Sequence, residues 1–127
     1  MIKLAQPSKL EMQVLSLLWE HGPLTARAVL EKLGDEKPRA YTTVLSVLQV
    51  MEKKGLVTHE AEGNRHVYAP KVKRQAVLRP MLSGLVKTVF GGRTSTAMQH
   101  LLDASDVTET ELAEMRQLLE KYEKRDK

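Results

Sequence analysis

No cysteine occurs in this chain, which excludes a disulfide framework, a thiolate metal site and a cysteine nucleophile. Aromatic residues fill only 4% of the 127 positions, so the core must be built mainly from Leu, Val and Met. No apolar run approaches the roughly 20 residues that cross a bilayer. The opening stretch MIKLAQPSKLEMQ has neither the long apolar segment nor the small-residue cleavage site of a signal peptide. A cytoplasmic protein with no membrane insertion is therefore expected. Catalytic signatures are missing too: there is no Gly-rich phosphate loop after a strand, no H-E-x-x-H and no G-x-S-x-G. The four histidines, His21, His59, His66 and His100, are scattered. His59 and His66 could face each other across a hairpin, but two ligands fall short of the four of a structural zinc site. The expectation is no enzyme, no catalytic residue, no metal and no cofactor.

What is present suits one domain, or a small domain with an appendage. The formal charge of +4 permits nucleic-acid binding without proving it, and its distribution says more. Residues 71–93 carry Lys71, Lys73, Arg74, Arg79, Lys87 and Arg93 with no acid. Residues 94–127 hold five basic and eight acidic residues, and residues 1–70 hold nine basic and eight acidic. The first seventy residues are thus close to neutral.

Ser8 followed by Glu11 is a capping-box signature, and Leu10, Val14, Leu17 and Leu18 keep helical spacing until His21-Gly22-Pro23. Thr25 is a candidate N-cap for a second helix bearing Ala28, Val29 and Leu33 and ending at Gly34. The polar, Pro-interrupted DEKPRA reads as a loop. A third helix is expected from about Tyr41 to Lys54, with Gly55 beyond its end. The period then changes: LVTHEA and RHVYAP, joined by EGN, read as a hairpin closed by Pro70. Three helices and a hairpin in this order form a winged helix, a helix-turn-helix with a two-stranded ribbon attached. The fold expected is mainly α, with a winged-helix DNA-binding domain at 1–70 and a helical dimerisation domain at 71–127.

That second part reads as a helix from Lys71 to about Phe90 that must tolerate Pro80, a break at Gly91-Gly92, a short helix at about 95–102, and a last helix opened by Thr108 and Glu111. Fewer than sixty residues in three helices bury too little surface to be secure alone. Leu78, Leu82, Leu85 and Val89 lie on one wide apolar stripe, and Leu101, Leu112, Met115 and Leu119 add others. A partner chain, giving a homodimer, is preferred to packing back on the N-terminal part.

The third helix has two faces. At about 100° per residue, Val44, Val47, Leu48 and Met51 share one sector, while Thr42, Ser46, Gln49 and Lys53 share the opposite one. Leu45 and Val50 flank them. The second face carries hydroxyls, an amide and an ammonium but no acid, as suits the major groove of double-stranded DNA, where each base pair displays its own donors, acceptors and thymine methyl. Lys37 and Arg39 precede the helix, Lys53 and Lys54 end it, and Asn64, Arg65 and His66 fall at or near the hairpin tip, within reach of backbone phosphates. The alternative is a winged helix that binds protein without specific DNA binding, which the near-neutral first domain favours and the acid-free face opposes.

The stretches AYTTVLSVLQVMEKKGLV and RHVYAP, with LEMQVLSLLWEHGPLTARAVLEKL before and VFGGRTSTAMQHLLDASDVTETELAEMRQLL after, resemble the penicillinase-repressor family of BlaI, MecI and CopY-type repressors over about residues 6–120. The resemblance implies a homodimeric transcriptional repressor that binds a palindromic operator, its third helix in the major groove and its wing on the backbone. Carried over by position, the resemblance puts Thr42, Thr43 and Ser46 at the operator and Arg65 on the backbone. Together with the residues read from the helix face, its ends and the wing, the expected DNA-binding set is Arg39, Tyr41, Thr42, Thr43, Ser46, Gln49, Lys53, Lys54, Arg65 and His66. Three departures stand out. Val50 occupies a position where family members often carry arginine. The C-terminal cysteine motif of copper-responsive members is missing. His100-Leu101 stands where β-lactam-responsive members carry a cleavable Asn-Phe bond, so a sensor protease as partner is unsupported.

Overall fold

Ser8 starts the first helix as expected. Its hydroxyl accepts from the Glu11 N–H at 3.2 Å, and the Glu11 carboxylate accepts from the Ser8 N–H at 2.7 Å. In this computed structural model, which describes residues 7–34 and 39–125, the elements run α1 (Lys9–His21), β1 (Leu24–Thr25), α2 (Ala26–Leu33), α3 (Tyr41–Lys53), β2 (Val57–Glu62), β3 (Arg65–Pro70), α4 (Arg74–Val89), α5 (Thr94–Ala104) and α6 (Glu109–Arg125). Thr25 caps α2, accepting from Ala28 N–H at 3.1 Å. Gly34 ends α2 in the left-handed conformation. Most of the DEKPRA loop, with Lys37, lies outside the described residues.

The sheet departs from the expected two-stranded ribbon. It has three antiparallel strands in the order β1-β3-β2, with Leu24 opposite Tyr68 and Thr25 opposite Val67. A two-residue strand directly after Pro23 is too short to show a period, so pattern reading passes over it. The wing itself follows expectation: β2 and β3 pair from Val57–Pro70 to Glu62–Arg65, which leaves Gly63 and Asn64 as the turn. Gly63 sits at φ +64, a conformation that side-chain-bearing residues rarely adopt.

The core follows from these placements. Val14, Leu15 and Leu18 of α1, Ala26 and Val29 of α2, and Val44, Leu48 and Met51 of α3 are buried together with Leu56, Val57 and Tyr68. Val47, placed in the core sector by its spacing, is only partly buried. One charge enters this interior. Glu11 is 4% exposed, and Lys54, just past the end of α3, reaches it with its ammonium 2.9 and 3.0 Å from the two carboxylate oxygens. Burial alone would raise the Glu11 pKa, but the Ser8 N–H and the Lys54 ammonium outweigh it and hold the carboxyl below its ordinary range.

After the wing, the Trp19 indole N–H donates to the Val72 carbonyl at 3.0 Å, Arg74 lies over the Trp19 ring, and Val77 is buried. These ties explain why α4 begins at Arg74 rather than Lys71, and why packing assigns its first turns to the N-terminal unit. The chain divides into compact units through Leu82 and from Ser83, later than the expected 70/71 division. Pro80 is accommodated inside α4, as anticipated. Gly91 and Gly92, both at positive φ, end that helix, with the Gly92 N–H donating to Val86. In the second unit Thr108 caps α6, accepting from Glu111 N–H at 3.1 Å. Neither α5 nor α6 has a buried residue among those described.

Candidate nucleic-acid interface

Helix α3 is fixed from behind by Val44, Leu48 and Met51 in the core, which turns the opposite sector outward. Thr42, Ser46, Gln49 and Lys53 are all exposed there, and so is Thr43 beside them. The first turn of α3 contains no acid, and its N-cap is Ala40, which offers no side-chain acceptor. The Thr43 N–H donates to the Ala40 carbonyl at 3.0 Å, whereas the helix itself supplies no acceptor for the N–H groups of Tyr41 and Thr42.

One flank of α3 borders a cleft of about 580 Å³ that runs between α2, α3 and the wing. Of the residues expected from sequence, Tyr41, Gln49, Arg65 and His66 line it. Thr42, Thr43, Ser46 and Lys53 are exposed on α3 but do not line the cleft. Arg39 is partly buried just before α3. Lys54 stands apart, because its ammonium is engaged by Glu11 at the base of the core rather than presented beside Gln49.

Sequence reasoning passed over Arg27. It is exposed in the first turn of α2, lines the cleft, and places its guanidinium 4.9 Å from the centre of the Tyr41 ring. A cation in the first turn of a helix opposes the helix dipole, and that mismatch was the signal the sequence offered at this position. Cation–π contact with Tyr41 holds the guanidinium in place while leaving N–H donors for an anion.

The wing is braced against α3. His59 Nδ1 lies 2.8 Å from both carboxylate oxygens of Glu52, and the His66 ring stacks on His59 with centroids 4.4 Å apart. Cross-strand proximity of the two histidines is as the hairpin spacing suggests. Tyr68, buried behind them, has its hydroxyl pKa raised by burial and by the charges of Glu52 and Tyr41. Among the described residues no group of three or more His, Cys, Asp or Glu side chains is placed to hold a metal ion. Also among these residues, no helix is long and apolar enough to cross a membrane.

The apolar positions expected at an interface between chains are exposed or half-exposed. Leu82, Leu85 and Val89 of α4 and Leu101, Leu112 and Leu119 of α5 and α6 are all exposed, Leu101 at 67%. Leu78 and Met115 are partly buried. The His100-Leu101 bond lies inside α5, with the His100 ring 5.2 Å from that of Phe90.

A three-helix head with a hairpin wing and a third helix whose outward sector carries no acid defines a winged-helix protein. Comparison with known proteins narrows the class. The sequence model of the penicillinase repressors matches residues 7–121, and the chain belongs to the penicillinase-repressor family. It is 34% identical over 122 residues to the transcriptional regulator BlaI of Mycobacterium tuberculosis, spanning 91% of this chain and 88% of that protein. It is 24% identical over 127 residues to the penicillinase repressor of Bacillus licheniformis, spanning 100% and 99% of the two. Among solved structures, the DNA-binding domain of the repressor BlaI matches at 28% identity with a TM-score of 0.51, over 58% of this chain and 90% of that one.

Proposed function

We propose that this protein is a sequence-specific transcriptional repressor that binds a dyad-symmetric operator as a homodimer. The observation that carries the reading is the exposed sector of α3, free of acid and fixed from behind by the core. Gln49 can pair with an adenine edge in two hydrogen bonds, and Thr42, Thr43 and Ser46 can reach bases or phosphates. Arg27 of α2 and Arg65 of the wing, which line the cleft together with Gln49, supply phosphate contacts that set register without reading sequence. Lys53 adds a further charge at the far end of the helix.

Pairing of two chains is supported by the exposed leucines of α4, α5 and α6. At roughly 25 cal/mol per Å² of apolar area, leaving so many in water is a substantial loss that a second copy removes. Two-fold symmetry then calls for two half-sites separated by about one helical turn or a multiple of it.

The test is binding to duplexes from the protein's own promoter region over a salt series. Tight binding that falls steeply with salt, and is weakened by Ser46→Ala and Gln49→Ala, is expected. Affinity that is absent at low salt and flat with ionic strength would favour a protein-binding winged helix instead.

A further inference from the structure

The two flanks of α3 differ in what they face. Tyr41, Leu45 and Gln49, four residues apart each, line the cleft toward the wing and α2. On the other flank Thr43, Ser46 and Val50 follow one another at spacings of three and four, within about 60° of each other around the axis. All three are exposed, and Val50 is exposed at 47%. Val50 is not among the buried or partly buried apolar residues that make up the core.

A lone exposed aliphatic side chain is ordinary on a protein surface. Val50 is set apart by its address, since it stands beside Ser46 and one turn from Lys53 on the helix proposed to enter the groove. There a branched hydrocarbon can neither hydrogen-bond a base nor neutralise a phosphate. Its one favourable partner is another hydrocarbon, and the major groove offers a single kind, the C5-methyl of thymine. That methyl lies at the edge of the groove floor nearest its own strand, which is where the side of an inserted helix rather than its crest arrives.

We infer that Val50 is a specificity-determining residue that reads a thymine methyl in each operator half-site. This rests on the DNA-reading function proposed above and adds to it a base preference at one position. The contact buries apolar surface from both partners and disfavours cytosine there, whose amino group and bare C5 offer Val50 nothing.

The experiment begins with selection of bound sequences from a random duplex pool by the full-length protein. Each thymine of the selected half-site is then replaced by deoxyuridine, which lacks only the methyl, and binding is measured for the wild type and for Val50→Ala. One deoxyuridine position should weaken the wild type about fourfold, the equivalent of burying one methyl group. The same replacement should leave Val50→Ala unchanged, and a thermal melt of the variant should match the wild type. If every deoxyuridine affects both proteins equally, or the selected half-site has no thymine sensitive to the change, the inference is overturned while operator reading stands. A pool that yields no enriched sequence overturns operator reading, and the role of Val50 with it.

Discussion

Lys54 shows how far a side chain's position in the sequence can differ from its duty. Adjacent to Lys53 at the end of α3, it looks from sequence like a phosphate contact, yet its ammonium lies against the buried Glu11 carboxylate. No local pattern reveals this, because the partner is 43 residues away. Lys54→Met should therefore destabilise the protein by about 1–3 kcal/mol, since a buried charge loses its partner, and urea unfolding would read the loss. Salt dependence of DNA binding should hardly change. The same pair sets an acid limit. Glu11 has a lowered pKa in the folded state, so its stabilisation is complete above the unfolded value of about 4.3 and disappears as pH falls through the folded value. Glu11→Gln should be less stable than wild type near neutrality and lose less stability below about pH 4.3, as urea midpoints at several pH values would show. By contrast, the spacing of Ser46 and Gln49 did reveal that both are exposed on α3, and under the proposed function Gln49→Ala should cost roughly 1–3 kcal/mol of operator affinity together with selectivity at one base pair.

At the level of elements, amphipathic helices and the hairpin were legible because each has a period, a cap or a glycine turn written locally. Ser8, Thr25, Gly34 and Gly63 all stand where their chemistry predicts. Strand β1 was not legible, since two residues carry no period, and neither was the cleft, which exists only once α2, α3 and the wing are assembled. The contact of Arg27 with Tyr41 became visible through that assembly alone. Arg27→Ala and Arg65→Ala should each weaken binding to all duplexes by a similar factor and reduce the salt slope by about one, without altering sequence preference. The missing side-chain cap of α3 gives this element a further property. A bound phosphate would complete its first turn, so the amides of Tyr41 and Thr42 should gain hydrogen-exchange protection in the DNA complex.

For the whole molecule, the balance between its two units matters most. Among the described residues the first owns a core cluster of eleven buried apolar side chains, whereas α5 and α6 have none buried. Leu85→Asp should yield monomers in sedimentation experiments and weaken operator binding by loosening the link between half-sites, while the head retains its helical signal. A dimer that persists would place the contact elsewhere. The sequence disclosed the greasy helices but not their arrangement, because a leucine stripe specifies only that something covers it. The lack of buried side chains among the described residues of α5 and α6 carries a regulatory consequence. If the order of the second unit depends on a second copy, operator occupancy varies with the square of protomer concentration when the protein is scarce. A modest fall in cellular abundance would then release the promoter abruptly, with no ligand needed to sharpen the response.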